Sequence, residues 1–241
     1  STLKPFIAIA ALEAGTVSTD VRYFSSGKFF LPNSERPYRD WLKGGHGWVN
    51  IPQALEQSVN TAFYQMALDL GIDRIYSALQ PFNFGTKTGI DLPGEARGLL
   101  PSREWKRAHY DQPWFPGETV ITGIGQGYTL VTPVQLASAT AALAGGVWHR
   151  PQIKLRSREQ APLVDTFTEQ EATANQATPS STENQLLLGE VGIPQSDEGD
   201  YQLRLRYDDN QAYWDLIHSG MEMVIHGTRG TARAIAPTHY R

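Results

Sequence analysis

Apolar residues open the chain at Leu3, Phe6, Ile7, Ala10 and Ala11, the three-and-four spacing of one helical face, and the run closes at Glu13-Ala14-Gly15. Ser1 and Thr2 are capping types and Pro5 suits a first turn, so the pattern predicts a helix from the start of the chain. Residues 16–50 break the rhythm. RYFSSGKFFLPNSERPYRDWLKGGHGW mixes turn residues with aromatics and predicts an irregular excursion carrying short strands. Helical spacing returns in NIPQALEQSVNTAFYQMALDLG, with Pro52 at its start and Leu55, Phe63, Met66, Ala67 and Leu70 as its apolar positions. The cluster Ser58-Val59-Asn60-Thr61 is rich in capping types, which predicts two short helices with a break there, and a third helix is expected over 72–81. FNFGTKTGIDLPGEARGLLPS reads as loop. TPVQLASATAALAGG reads as a helix capped by Thr132, with Pro133 first and Gly145-Gly146 at its end. From about 155 to 210 the chain turns polar and poor in aromatics, as in TEQEATANQATPSSTENQ, the pattern of a solvated insertion or long loop. QAYWDLIHSGMEMVIHG is helical again, and TRGTARAIAPTHYR runs through turns toward a strand. Helices mixed with short strands and no internal repeat predict an α+β fold.

Composition narrows the chemistry. The 241 residues are 40% hydrophobic and 19% charged with a net charge of −4, ordinary for a globular chain and without the basic concentration a nucleic-acid binder needs. The absence of cysteine excludes thiol catalysis, disulfides and zinc–thiolate sites. No apolar run approaches the roughly 20 residues of a membrane span, and no signal-peptide pattern opens the chain. It begins at Ser1 without a methionine and is expected to be a segment of a longer protein, incomplete at both ends.

Ser1-Thr2-Leu3-Lys4 places a hydroxyl and an amine three residues apart, on one face of the first predicted helix. A lysine held neutral by burial can take the proton of such a serine and make it a nucleophile; a polar start to a buried helix fits the same letters. SxxK is a cheap pattern, expected roughly once per 200–300 residues, and Ser25-Ser26-Gly27-Lys28 matches it too, in a glycine-containing turn. Ser58-Val59-Asn60 is the companion triad of serine–lysine acyl-transfer enzymes, its hydroxyl able to relay a proton and its amide able to hold a carbonyl. The same three residues also fit an ordinary helix boundary. Lys87-Thr88-Gly89 matches a third expected motif literally, but its loop setting lacks a strand pattern and favours a surface turn. Gly123, Gly125 and Gly127 lack the βαβ frame of a dinucleotide site and read as tight backbone packing. Asp40 and His46 are weak metal ligands without a third partner. The aromatics of WKRAHYDQPWF fit a loop packed onto the body better than a ligand stack.

Taken together, STLKPFIAIAALEAG, YRDWLKGGHGWVNIPQALEQSVNTAFYQMALDLGIDR, FGTKTGIDLPGE, LPSREWK, PWFPGETVITGIGQGYTLVTPVQLA and GTARAIAPTHYR resemble, in order, segments of the class B penicillin-binding protein transpeptidase domain. The run YRDW…GHG resembles the elongation-type members. The resemblance covers most of residues 1–150 and about the last thirty, and reads 1–241 as a partial transpeptidase domain with a polar insertion at about 155–210.

The resemblance implies the penicillin-binding protein/serine β-lactamase fold: an antiparallel sheet with packed helices and a helical lobe. It implies Ser1 as nucleophile, Lys4 as base, Ser58 as proton relay and Asn60 as the holder of the substrate amide. The substrate would be the stem peptide of peptidoglycan, cross-linked through an acyl-enzyme during cell-wall elongation, with β-lactams acylating Ser1 as mimics. A serine β-lactamase or D,D-carboxypeptidase, and a catalytically inactive sensor or scaffold, are the rival readings. In this family FGxxTGIDLPGE is a structural loop, so the true Lys-Ser/Thr-Gly strand is expected beyond Arg241. No cofactor is expected. Some relatives carry a metal site near the positions of Asp40 and His46 with a cysteine that this chain lacks, so no metal is expected either. The family further implies an extracytoplasmic domain on a membrane-anchored protein, working with a membrane glycan polymerase.

Overall fold

The computed structural model describes residues 2–153, 202–204 and 210–235. Its centre is helix α1 (Lys4–Glu13), whose residues Phe6 to Leu12 are all at most 3% exposed. The sequence pattern predicted one apolar face, but Ala8, Ile9 and Leu12 fill the opposite side, so the helix is apolar all round and is wrapped by others. Phe6 meets Phe82 and Phe84 edge-on at 4.9 and 5.2 Å, the favoured aromatic geometry. The expected cap differs. Leu3 is the cap residue and its aliphatic side chain supplies no hydrogen bond, while Pro5 at the start removes one N–H that would need a partner.

The excursion after α1 forms two antiparallel ladders. Strand β1 (Tyr23–Ser25) pairs with β4 (Gly47–Val49), and β2 (Lys28–Phe30) pairs with β3 (Pro37–Arg39). Helix α2 (Ile51–Glu56) opens with a capping box between Asn50 and Gln53, and α3 (Asn60–Leu70) follows after the predicted break. Helix α4 (Ile72–Leu79) continues into a 3-10 turn at Gln80–Phe82. Helix α5 (Arg103–Tyr110), capped by Ser102, stands where loop was expected, and α6 (Pro116–Thr122) follows it. They are joined by the buried Lys106 side chain, which ion-pairs with Glu118. Helix α7 (Pro133–Gly145) has its predicted cap, Thr132 accepting from the Gln135 N–H at 3.2 Å.

Strand β5 (Val147–His149) pairs antiparallel with β6 (Gln202–Arg204), and the rest of the expected 155–210 insertion lies outside the described residues. Helix α8 (Gln211–His226) packs along α2. A Cβ on Gly220 would lie 3.1 Å from the Pro52 Cα and from Leu55 Cβ, so the glycine lets the two helices approach closely. The β structure among the described residues is therefore three two-stranded antiparallel ladders around a helical core, an α+β arrangement. Among the same residues no helix is long and apolar enough to cross a membrane.

Candidate active site

Lys4 sits on the first turn of the central helix, and its side chain is only 2% exposed. Its Nζ donates to the Ser58 carbonyl oxygen at 2.7 Å, to Ser58 Oγ at 2.9 Å and to Asn60 Oδ1 at 2.7 Å. Burial lowers its pKa from 10.5 to about 8, against the pull of the Asp40 carboxylate, which raises it. Of these three partners among the described residues, the Ser58 hydroxyl alone both accepts and donates; the carbonyl and amide oxygens accept only. When Lys4 is neutral, its lone pair can therefore receive a proton across the Ser58 contact. The two oxygens that only accept keep the amine in place.

The backbone explains how Ser58 reaches Lys4. The chain leaves α2 at Glu56 and reverses before α3, with Ser58 in the left-handed region at φ 51°. A non-glycine residue there costs on the order of 1–3 kcal/mol, a strain found at functional turns. Asn60 begins α3, so its side chain projects from the helix start toward Lys4.

Asp40 anchors this turn from the opposite side. Its Oδ2 accepts from the Thr61 N–H at 3.0 Å and from Thr61 Oγ1 at 3.2 Å, and its Oδ1 accepts from the Trp41 N–H at 2.8 Å. A carboxylate at the start of α3 also suits the positive end of that helix. His46 Nε2 lies 3.4 Å from Asp40 Oδ1, and its Nδ1 lies 3.2 Å from Gln57 Oε1. Thr61 Oγ1 also lies 2.7 Å from Ser25 Oγ, so the hydroxyl that donates to Asp40 can accept from Ser25. Among the described residues no group of three His, Cys, Asp or Glu side chains converges. Sequence reasoning weighed Asp40 only as a metal ligand. Its role as anchor of α3 and counter-charge to Lys4 was missed, since no local pattern in YRDW signals a contact 21 residues ahead.

Lys4, Ser58 and Asn60 are thus brought together, whereas Ser1 lies outside the described residues. The second SxxK match is not brought together: Ser25 is buried on β1 and Lys28 is exposed on β2. At Lys87-Thr88-Gly89 the Thr88 N–H and hydroxyl both donate to Glu95 Oε1 at 2.6 Å, and the Gly89 N–H donates to Oε2 at 3.0 Å. That carboxylate closes a loop, and Lys87 points to solvent. Gly123 and Gly125 are packing positions. A Cβ on the first would lie 2.2 Å from Ala67 Cβ, and one on the second 3.3 Å from Leu3. Beside Lys4 and Ser58 opens a cavity of about 320 Å³, whose apolar walls include Leu55, Leu136, Met221 and Val224.

A family model for the penicillin binding protein transpeptidase domain matches residues 1–187. The chain is 36% identical over 233 residues to the peptidoglycan D,D-transpeptidase MrdA of Escherichia coli K12, an alignment covering 96% of this chain and 32% of that protein. It is also similar to the Pseudomonas aeruginosa PBP2 structure in complex with WCK 5153, with TM-score 0.77 and 39% identity over 99% of this chain and 46% of that one. The PBP2 of Helicobacter pylori, solved in complex with MreC, gives TM-score 0.74 at 25% identity, covering 97% of this chain and 36% of that one. The chain thus spans about a third of the curated relative's length. A polar triad built around a buried lysine, the fold that carries it and these matches agree: the chain belongs to the penicillin-binding protein transpeptidase family.

Proposed function

We propose that the protein carrying this chain is a peptidoglycan D,D-transpeptidase of cell-wall elongation; the printed name of its MrdA relatives supports the reaction, and the resemblance of YRDW…GHG to elongation-type members supports the role. The observation that carries this reading is the buried Lys4 amine, held at 2.9 Å from the Ser58 hydroxyl with its pKa lowered to about 8. In this reading Ser1 Oγ attacks the carbonyl of the penultimate D-alanine, and Lys4 Nζ takes the serine proton. The bond to the terminal D-alanine then breaks. That residue leaves as an amine, protonated from Lys4 through Ser58, and an ester remains on Ser1. The acceptor amine of a neighbouring stem peptide attacks the ester, and its proton returns by the same route to Ser1 Oγ. Asn60 turns its oxygen to Lys4, so its amide hydrogens serve the substrate carbonyl. No cofactor or metal enters this sequence.

Residues 1–241 form, in this reading, part of one transpeptidase domain whose third motif follows Arg241, with Lys87-Thr88-Gly89 structural. The domain stands outside the cytoplasm on a membrane-anchored protein. It acts with a membrane glycan polymerase and with a protein of the MreC kind, the partner in the Helicobacter pylori PBP2 complex, and is acylated by β-lactams. The test supplies the full-length protein with a pentapeptide donor and an excess of acceptor amine, and resolves the products by mass. Cross-linked peptide with release of D-alanine is expected. Hydrolysed tetrapeptide alone would indicate a carboxypeptidase, rapid turnover of penicillin a β-lactamase, and no product an inactive scaffold.

A further inference from the structure

We infer that Glu56 is a positioning residue that clasps the wall of the substrate cavity to the turn carrying Ser58. Glu56 ends α2 and is 4% exposed. Its Oε1 accepts from the Arg229 N–H at 2.9 Å, and its backbone carbonyl accepts from the Thr231 N–H at 3.2 Å. Among the described residues no cation forms a salt bridge with it, so this buried carboxylate faces the Arg229 backbone N–H, and burying a carboxylate on so few partners is costly. Beyond that loop, Thr231, Ala232 and Ile235 line the cavity that Lys4 and Ser58 also line. Gly227 makes the clasp possible, since a Cβ there would come within 2.3 Å of Glu56 Oε1.

The next residue is gripped from the other side. The Trp41 Nε1–H donates to the Gln57 carbonyl at 3.0 Å, and Gln57 Oε1 meets His46 Nδ1. The Glu56–Ser58 turn is therefore fixed at both flanks, and Ser58 is kept in its strained left-handed conformation facing Lys4. Glu56 touches neither substrate nor Lys4. It sets the distance between the wall formed by 231–235 and the proton-relay hydroxyl.

This inference rests on the acyl-transfer reading above, and its test separates the two. Acylation of the full-length protein by a fluorescent penicillin is followed over time and divided into initial affinity and acylation rate constant. Glu56→Ala should lower the rate constant about tenfold or more, while Glu56→Gln, which keeps an acceptor oxygen, should stay within about threefold of the parent. An undiminished rate in a folded Glu56→Ala variant, or equal losses in both variants, overturns the inference. If Glu56→Ala does not fold, Gly227→Ala presses on the same oxygen from the loop side, and its rate is compared with that of Glu56→Gln; no loss there is equally fatal. A parent that takes up no penicillin counts against the acyl-transfer reading. The clasp is then judged by hydrogen exchange of the Arg229 amide, which should be protected in the parent and in Glu56→Gln but exposed in Glu56→Ala. Fast exchange in the parent overturns it.

Discussion

Replacing Asp40 by asparagine tests how the site sets the proton affinity of Lys4. Burial lowers that affinity and the Asp40 carboxylate raises it; burial prevails, leaving the pKa at about 8 instead of 10.5. At pH 7 a lysine of pKa 8 is neutral in roughly one molecule of ten, against about one in three thousand at 10.5. The difference is a gain of roughly 300-fold in available base, or about 3 kcal/mol. The acylation rate of the parent should therefore climb about tenfold per pH unit below 8 and level off above it. Removing the anion withdraws what favours the ammonium, so in Asp40→Asn the midpoint moves to lower pH. A midpoint near 7 would raise the neutral fraction at pH 7 to about one half, roughly a fivefold increase. The plateau should fall at the same time, because an asparagine amide turned toward either the Trp41 or the Thr61 N–H would oppose donor to donor. The assay is the rate of fluorescent-penicillin acylation of the full-length protein from the neutral to the alkaline range. A parent midpoint near 10, or a midpoint that rises in Asp40→Asn, refutes the reasoning.

Among the described residues Ser58 is the Lys4 partner able to pass a proton, so in Ser58→Ala the acylation rate should fall about 100-fold or more. Ser58→Gly should lose as much rate yet melt higher than the alanine variant, because glycine carries no penalty at φ 51°; equal melting temperatures would contradict the strain argument. Gly123→Ala drives a methyl into Ala67 between α3 and α6 and should cost about 1–3 kcal/mol of stability, read by thermal melting. Lys87→Ala should leave acylation within about twofold of the parent, whereas Glu95→Ala should lower stability by about 1–3 kcal/mol by stranding the Thr88 and Gly89 donors. A large loss of acylation in Lys87→Ala would restore that lysine as a site residue.

Helices whose signals are local were legible. Thr132, Pro133 and Gln135 lie within one turn, and so does the capping box of Asn50 and Gln53. The break at Ser58 was legible because four short polar or β-branched residues in a row favour it. Helix α5 was not, because Trp105 and its aromatic neighbours read as a packed loop until the buried Lys106–Glu118 pair joins this helix to α6. The three separate ladders were hidden for a similar reason, since which short strand pairs with which is decided by packing and not by pattern. The polar triad was legible as residue types. Its geometry was not, because Lys4 meets Ser58 across 54 residues of chain, and nothing in STLK says which segment will arrive there. Asp40 and Glu56 were the hardest, since a carboxylate that binds backbone N–H groups leaves no motif in the sequence.

The central claim is that this lysine-centred site makes an acyl-enzyme on Ser1. The most direct test exposes the full-length protein to penicillin, digests it and locates the adduct by mass spectrometry. The account predicts one stable adduct, on the peptide that contains Ser1, lost in Ser1→Ala and formed far more slowly in Lys4→Ala. An adduct on any other residue, or one that persists in Ser1→Ala, would contradict it.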